Sequence, residues 1–464
     1  MKQWTPQQVA QAARASLIAP PPIPGATPGG RPSGPERVTI DSRDAGPGAL
    51  FVGLPGAHYD GGAFAPAALA AGAWGVVASP EHADRAARVA QDDAPGAVLA
   101  APEPLKALQS LATAWRRELQ ADVIGITGST GKTSTKDLLL ALLGPHRATV
   151  ASRANFNTEI GLPLEILAAP VGTEVLVLEM GMRGVGQIAE LAAIAEPDVA
   201  VIVSVGPVHL ELLGTVPAVA AAKAELIAAL PAGAIAIVPA AEPLLDPYRR
   251  ADVTTVTFGP HGDIRLLEED DDRVVIDAAG ERIELEVPFR QAHLRANLLA
   301  AVAAARAIGV TPGGRVELSL SAGRGETVTL PGSVTVIDGC YNANPMSMRA
   351  ALSDLAATAA RTGAARRVAV LGDMLELGPD APAYHAALGD LANQAKVDLL
   401  VTVGPLAAGI AERFDAETRS FADADAAARA VPGLVHAGDV VLIKGSLGVG
   451  LKAVCTALGV GVAA

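Results

Sequence analysis

The stretch VIGITGSTGKTSTKDLLLALL, residues 123–143, decides the fold of the region around it. A short apolar run precedes a loop of Gly, Ser and Thr, and a leucine-rich run with helical spacing follows. Strand, glycine-containing loop and helix in this order form a unit that binds phosphate, because backbone N–H groups and the positive helix end face the anion. The sequence therefore predicts a nucleotide-phosphate loop made of Thr127, Gly128, Ser129, Thr130, Gly131, Lys132 and Thr133.

The loop departs from the usual spelling G-x-x-x-x-G-K-[ST], which would place a glycine where this chain has Ile126. An ordinary strand–helix turn with a chance Gly-Lys-Thr is the alternative interpretation. The phosphate interpretation is favoured because strand, loop, lysine and hydroxyl occur in the right order. In that interpretation Lys132 reaches the outer phosphates of a nucleotide, and Thr133 can bind magnesium.

Bulk composition limits both the architecture and the partners. At 464 residues, the chain is long enough for about three domains at roughly 150 residues each. Asp and Glu outnumber Lys and Arg by 49 to 36, and only 3% of residues are aromatic. A nucleic-acid binder needs a basic surface or stacking rings. We therefore expect no nucleic-acid partner.

No segment indicates secretion or membrane insertion. The N-terminus lacks the apolar core of a signal peptide, and the two cysteines form no disulfide framework. The long uncharged run over residues 61–80 is broken by Pro66 and predicts a helix over 67–71 and a strand over 74–78. We expect a cytoplasmic protein with no membrane span.

Apolar runs alternate with helical patterns along most of the chain, which is typical of α/β domains with mainly parallel sheets. Residues 251–290 alternate polar and apolar positions around an acidic turn, and predict antiparallel β-structure. A Thr-Pro-Gly-Gly linker follows at 311–314, and the last third predicts a second doubly wound unit. We predict an N-terminal α/β domain (1–118), a central phosphate-loop domain with a mainly parallel sheet (119–312) and a C-terminal Rossmann-like doubly wound domain (313–464).

Two further residues occupy positions where parallel strands end. Glu179 follows the strand VLVL, and His209 follows VAVIVSV. Such ends meet at one edge of a sheet, so a carboxylate and an imidazole there could bind a metal beside the phosphate loop. Each residue alone could equally be an exposed or structural side chain.

The spelling T-G-S-T-G-K-T resembles the Mur ligase family, whose loop dispenses with the first glycine. The resemblance extends from about residue 38 to 453, through DSR (41–43), NFNTEIGLPLEIL (155–167), GPVHLELLG (206–214), IDGCYNANP (337–345) and LGDMLELG (371–378). Two positions depart from the family pattern: Val208 replaces an alanine, and Gly339 replaces a second acid that often follows Asp338.

The resemblance assigns roles to individual residues. It implies that Ser42 and Arg43 contact a uridine nucleotide-sugar, and that Glu179, His209 and Lys223 act in catalysis with Lys132. Lys223 would be carbamylated, so that its new carboxylate joins Thr133, Glu179 and His209 around magnesium. The remaining implied contacts are with nucleotide (Asn297, Arg324 and Asp338) and with substrate (Asn157, Thr158, Tyr341, Asn342, Asn344 and Lys444). By periodicity alone, Lys223 is an ordinary helical lysine.

The implied activity is ATP-dependent amide-bond formation between UDP-N-acetylmuramoyl-tripeptide and D-alanyl-D-alanine, releasing ADP and phosphate through an acyl phosphate. ATP and magnesium are the expected cofactors, and we expect a monomer. Two alternatives stay open at this point. One is another amide ligase of the same family, such as a folylpolyglutamate synthase or an earlier muramyl ligase. The other is a nucleotide-dependent binding module that performs no ligation.

Overall fold

A computed structural model describes residues 1, 3–20, 34–92, 94–153, 155–321, 323 and 325–460 of the chain. Most of the Pro- and Gly-rich segment 20–35 lies outside the described residues, as does Arg324. The three predicted α/β domains are present, each built on its own sheet. The predicted fold class is therefore confirmed.

The N-terminal sheet has the strand order β1-β5-β4-β3-β2, with β1 antiparallel and the other pairs parallel. The predicted short helix and following strand are α2 and β4, displaced by one or two residues. The elements of this domain are α1 Pro6–Ala12, β1 Ser16–Ala19, β2 Arg37–Thr39, β3 Ala49–Val52, α2 Ala65–Ala70, β4 Gly75–Ala78, α3 Pro80–Asp92, β5 Ala97–Ala100 and α4 Pro104–Leu119.

The central domain begins with the quoted stretch. Its elements are β6 Asp122–Thr127, α5 Lys132–Leu143, β7 Thr149–Ala151, α6 Gly161–Ala168, β8 Val175–Glu179, α7 Gln187–Ala195, β9 Val199–Ile202, α8 Leu210–Leu213, α9 Val216–Ala228, β10 Ile235–Pro239, β11 Thr254–Phe258, β12 Ile264–Glu269, β13 Arg273–Ala278, β14 Glu281–Glu286, α10 Ala292–Ala307 and β15 Gly314–Arg315. The strand order is β15-β14-β13-β12-β11-β10-β9-β6-β8-β7.

The prediction of antiparallel structure over residues 251–290 is right only in part. Strands β12, β13 and β14 pair antiparallel, but β11 pairs parallel to β10 and extends the parallel sheet. Alternation of polar and apolar residues shows that one face of a strand is exposed, and it does not fix strand direction. Helix α10 covers this part of the sheet and packs against α5, where both contribute to one apolar core.

The C-terminal sheet has the order β16-β17-β21-β18-β19-β20, and all its pairs are parallel except β16 with β17. Its helices flank a buried sheet, as predicted for a doubly wound unit. The elements are β16 Glu326–Leu330, β17 Val334–Gly339, α11 Pro345–Thr362, β18 Arg366–Gly372, α12 Ala381–Gln394, β19 Leu399–Val403, β20 Glu417–Phe421, α13 Ala424–Ala430, β21 Asp439–Lys444 and α14 Lys452–Ala457.

The change from the central to the C-terminal domain comes later than the predicted boundary at 312. Strand β15 still pairs with β14, and Val316 is buried in the core of the central domain. Ser321 donates hydrogen bonds from its amide and its hydroxyl to Asp137 of α5, at 2.9 and 3.2 Å. The chain therefore stays attached to the central domain through Ser321.

Strand order places the candidate site. Strand β6 lies between β8 and β9 and is parallel to both, so three strands end at the same edge of the sheet. In open parallel sheets, ligands bind at such an edge. Among the described residues, no helix is both long and apolar enough to cross a lipid bilayer.

Candidate active site

The phosphate loop joins β6 to α5, and Lys132 is the first residue of the helix. Gly131 adopts φ +81°, and a Cβ at this position would lie 2.6 Å from Oδ1 of Asn297. Both the backbone conformation and the lack of space therefore require glycine. The same contact shows that Asn297, on α10, lies directly beside the loop, and its predicted contact with the nucleotide stays a prediction. Lys132 Nζ donates to the Gly128 carbonyl at 3.0 Å, so the lysine folds back over the loop.

The segment after β9 holds the loop in place. The Ser129 amide donates to the Ser204 carbonyl at 3.0 Å, and the Thr130 amide donates to the Ser204 hydroxyl at 2.9 Å. The Ser129 hydroxyl both donates to the carbonyl and accepts from the amide of Gly206. Ser129, which we predicted to contact the nucleotide, thus uses its amide and hydroxyl to hold the loop. The buried Thr127 hydroxyl has no hydrogen-bond partner among the described residues.

Glu179 ends β8 beside the start of α5 and is buried. The Thr133 hydroxyl donates to one carboxylate oxygen at 2.8 Å, and the Asn157 amide donates to the other at 2.8 Å. The Ser152 hydroxyl accepts from the Glu179 amide and fixes the backbone at this point. The predicted residues Thr133, Asn157 and Glu179 therefore form one cluster. Thr158, also predicted to bind substrate, accepts a hydrogen bond from Gly161 at the start of α6.

Lys223, on α9, is only 2% exposed and makes no hydrogen bond or ion pair among the described residues. Burial holds its pKa well below the ordinary lysine value, and the nearby charge of Lys132 lowers it further. Burial also lowers the pKa of His209; Glu376 raises it in part, and Lys132 and Lys223 lower it further. Lys132 and Lys223 are therefore close enough to His209 for their charges to lower its pKa.

A residue from the C-terminal domain completes this cluster and was not among the predicted site residues. The Glu376 carboxylate lies 2.5 Å from Nδ1 of His209 and 3.6 Å from Nε of Arg183. Glu376 belongs to the LGDMLELG stretch that carried the family resemblance. The sequence motif therefore indicated a functional segment, but it did not show which of its residues would contact the central domain.

The YNANP stretch forms the turn between β17 and α11. Lys444 Nζ donates to the Asn342 carbonyl at 2.8 Å, and the Asn342 side chain accepts from the Ala343 amide. Asn344 accepts from the Ser347 amide as the N-cap of α11 and donates to the Ser129 carbonyl at 3.3 Å. Asn344 therefore ties this turn to the phosphate loop. Its predicted substrate contact stays a prediction.

Three more residues were predicted to belong to the site: Tyr341, Lys444 and Arg324. Tyr341 is half-buried and packs closely against Gly323. A Cβ added to that glycine would lie 3.3 Å from the Cβ of Tyr341. Lys444 contributes, after burial, to lowering the pKa of His293 to about 4, so this lysine lies near the start of α10. His293 was not predicted as a site residue. The predicted role of Arg324 concerns a residue outside those the structure describes.

Asp338 was predicted to contact the nucleotide, but its carboxylate is engaged within the C-terminal domain. One oxygen lies 2.9 Å from Lys452 Nζ on α14, and the other accepts from the Cys340 amide at 3.0 Å. Burial raises the pKa of Asp338, but the hydrogen bonds from Lys452 and Cys340 outweigh burial, and the net shift is downward. No hydrogen bond or ion pair joins Asp338 to the phosphate loop among the described residues.

Ser42 and Arg43 lie in a one-turn 3-10 helix, Ser42–Asp44, at the surface of the N-terminal domain. Arg43 forms a forked hydrogen bond with Asp41 and lowers the pKa of that carboxyl to about 2. Open clefts of about 480 and 340 Å³ lie beside this turn. The smaller one is lined by Ser42 and by the exposed rings of Tyr59 and Phe64, which offer a stacking surface for a planar base.

Comparison with known families supports this arrangement of domains. Residues 36–116 match the description "Mur ligase family, catalytic domain", residues 126–305 match "Mur ligase middle domain", and residues 323–447 match "Mur ligase, glutamate ligase domain". The three matches fall on the three structural domains in order.

Curated relatives are similar over most of the chain. A UDP-N-acetylmuramoyl-tripeptide–D-alanyl-D-alanine ligase from Bacillus subtilis is 34% identical, with 89% of this chain and 91% of the relative covered. A protein of the same name from Mycobacterium bovis is 38% identical, with 91% of each chain covered.

Solved structures show the same fold. A crystal structure of MurF from Acinetobacter baumannii superposes with a TM-score of 0.84 at 28% identity, covering 98% of each chain. MurF ligase from Thermotoga maritima in complex with ADP superposes with a TM-score of 0.78 at 29% identity, covering 91% of this chain and 96% of the other.

Proposed function

Because the chain belongs to the Mur ligase family, we propose that it joins D-alanyl-D-alanine to UDP-N-acetylmuramoyl-tripeptide at the expense of ATP. The products are the extended nucleotide-linked peptide, ADP and phosphate. One observation carries the chemistry of this proposal: the Thr133 hydroxyl and the Glu179 carboxylate lie 2.8 Å apart, in the cluster formed around the first turn of the phosphate-loop helix.

The reaction requires activation, because a carboxylate is a poor electrophile. An oxygen of the tripeptide's terminal carboxylate attacks the γ-phosphorus of ATP, and ADP leaves. The amine of D-alanyl-D-alanine then attacks the carbonyl carbon of the acyl phosphate, loses a proton and expels phosphate. Lys132 and the amides of the first turn of α5 stabilise the charge on the transferring phosphoryl group. No nucleophilic side chain is needed.

The donor set fits a magnesium ion. Oxygen ligands of Mg²⁺ lie 2.0–2.1 Å from the metal in octahedral geometry, which puts neighbouring ligand oxygens roughly 2.9 Å apart. The Thr133 and Glu179 oxygens lie 2.8 Å apart, which is the length of the hydrogen bond between them and is also compatible with that spacing. Thr133, Glu179, His209 and a carbamylated Lys223 would hold the ion, which when bound neutralises charge on the phosphates.

The surroundings of Lys223 support its carbamylation. A free ammonium beside Lys132 and a cation would repel both, whereas carbon dioxide reacts with the neutral amine that burial favours. The product is a carboxylate on a long stem, which is a hard oxygen ligand. The site then gains a negative charge where the metal is expected.

We assign one substrate to each domain. The turn with Ser42 and Arg43 contacts the uridine nucleotide, Asn297 and the phosphate loop hold ATP, and Tyr341, Asn342 and Lys444 orient the dipeptide. Because the three domains of one chain together bind all three substrates, a monomer is sufficient for the reaction. ATP and nucleotide-linked sugars are cytoplasmic metabolites, so we propose that the reaction takes place in the cytoplasm.

The experiment is a phosphate-release assay with single omissions. We expect release only when ATP, UDP-N-acetylmuramoyl-tripeptide and D-alanyl-D-alanine are all present, with a product heavier by one dipeptide residue. Release without the dipeptide would indicate a nucleotide-hydrolysing module. Ligation of glutamate to a folate, without activity on the muramoyl peptide, would indicate the folylpolyglutamate branch of the family.

A further inference from the structure

The loop after β18, in the C-terminal domain, contacts the central domain through Glu376. Its carboxylate lies 2.5 Å from Nδ1 of His209 and 3.6 Å from Nε of Arg183. Its carbonyl accepts from the Glu211 amide at 3.3 Å. Two residues further on, a Cβ on Gly378 would lie 3.3 Å from the same amide, so the backbones are closely packed. Side-chain and backbone contacts thus join the domains at one point.

Both partners in this contact have an uncommon backbone conformation. His209 has φ +52° and Glu376 has φ +64°, in the left-handed region that residues other than glycine seldom adopt. Such conformations persist only where the surroundings hold them, and they concentrate at functional sites. Here two of them face each other across a domain boundary, which points to a contact with a function beyond packing.

The C-terminal domain presents Glu376 on a well-anchored loop. The Met374 amide donates to Nε2 of the buried His385 at 2.8 Å, and the Leu375 amide donates to the Ser446 hydroxyl at 3.0 Å. His385 bonds to the Ala381 carbonyl through its other ring nitrogen, so its orientation is also fixed. Glu376 therefore moves with the body of the C-terminal domain.

We propose that Glu376 is a positioning residue that makes metal binding in the central domain depend on docking of the C-terminal domain. The carboxylate accepts the Nδ1 proton of His209, which fixes the ring and its tautomer and leaves Nε2 as the nitrogen able to bind a metal. The second carboxylate oxygen lies 3.6 Å from Nε of the exposed Arg183. The proposal rests on the proposed function in one respect, namely that a nucleotide with a divalent cation binds at the phosphate loop.

The two events are then coupled in both directions. If docking improves cation affinity through His209, a bound cation must favour docking by the same factor. The binding site for ATP and the binding site for the dipeptide would thus be brought together by the ion itself. A purely structural ion pair would stabilise the domain interface without affecting the cation.

The test measures binding rather than turnover. Mn²⁺ replaces Mg²⁺ as an EPR-visible probe and is titrated into the full chain with saturating ADP, while small-angle X-ray scattering reports compactness. Removing an outer partner of a metal-bound histidine lowers metal affinity by about 10- to 100-fold. We expect a loss of this size in Glu376→Ala, with a larger radius of gyration than the unchanged chain under the same ligands.

Glu376→Gln keeps an oxygen that can accept the Nδ1 proton, so it should show a smaller loss. Glu412→Gln, at an exposed glutamate of the same domain, is the matched control and should match the unchanged chain. Unaltered Mn²⁺ affinity in a folded Glu376→Ala variant, or a loss in Glu376→Gln as large as in Glu376→Ala, would overturn the proposal. Because no turnover is measured, failure of the ligation assay would leave these binding results interpretable.

Discussion

Replacing Lys223 by methionine should make the protein more stable and, at the same time, inactive. Lys223 is 2% exposed as a whole residue, and its amine has no hydrogen-bond partner among the described residues. A buried polar group without a partner costs about 1–3 kcal/mol, and methionine fills similar space without that cost. In buffer free of carbon dioxide, we therefore expect the Lys223→Met variant to gain about 1–3 kcal/mol in the free energy of unfolding, measured by urea titration.

A matched control is available at Lys136, four residues after Lys132. Lys136 is also buried, but its Nζ lies 2.7 Å from Asp137. Lys136→Met would leave that carboxylate buried without its ion-pair partner and with only its hydrogen bonds from Ser321, so it should lose stability, by at most about 3–5 kcal/mol. Opposite signs for two buried lysines would show that the effect comes from the missing partner and not from lysine burial in general.

Activity should change in the opposite direction at Lys223. Loss of one electrostatic stabiliser in an active site costs about 100-fold or more in turnover. Lys223→Ala should be equally impaired, and short carboxylic acids such as acetate should restore part of its activity by entering the vacated space. Lys132→Ala should not respond to these acids. A Lys223→Met variant that retains most activity, or an alanine variant that no acid rescues, would refute the carbamate reasoning.

Three further predictions concern the separate domains. Lys132→Ala should lower turnover by about 100-fold or more while leaving the unfolding profile intact, as circular dichroism would verify, since the role proposed for the lysine is to stabilise the phosphoryl group. Arg43→Ala should weaken binding of the uridine nucleotide far more than of ATP, and Asn297→Ala should do the reverse; calorimetry in which Arg43→Ala harms ATP binding alone would contradict this division. Burial raises the pKa of Asp354 from 3.8 to about 6, so the folded state holds the proton more tightly and stability falls as pH rises from about 4 to 6. Asp354→Asn should therefore add at most about 3 kcal/mol at pH 7.5, and the gain should vanish towards pH 4 in paired urea titrations.

Local sequence patterns were enough to predict the elements that build the phosphate loop. Strand β6, the Gly131 turn and α5 follow from periodicity and from residues within one helix turn of each other. The alternating residues of β11 could not reveal its direction, because exposure of one face is common to parallel and antiparallel strands. Likewise, the Thr-Pro-Gly-Gly turn suggested a domain boundary, although the hydrogen bonds from Ser321 to Asp137 keep the chain on the central domain.

Contacts between distant residues account for what the sequence missed at the site. Glu376 and His209 are separated by 167 positions, and neither residue's neighbours indicate the other. The contact of Asp338 with nucleotide stays a prediction, but the sequence did not indicate its ion pair with Lys452 on the last helix. Ser129 is part of the phosphate-loop motif, but its amide and hydroxyl form hydrogen bonds with the segment after β9. Each outcome depends on packing between elements, which a single sequence does not display.

Oxygen transfer tests the central claim most directly. The tripeptide is prepared with ¹⁸O in its terminal carboxylate and incubated with ATP and D-alanyl-D-alanine, and the released phosphate is analysed by mass spectrometry. Since a carboxylate oxygen attacks the γ-phosphorus and leaves with phosphate, we predict one ¹⁸O atom in each phosphate released. Phosphate without ¹⁸O, formed together with ligated product, would contradict an acyl-phosphate route.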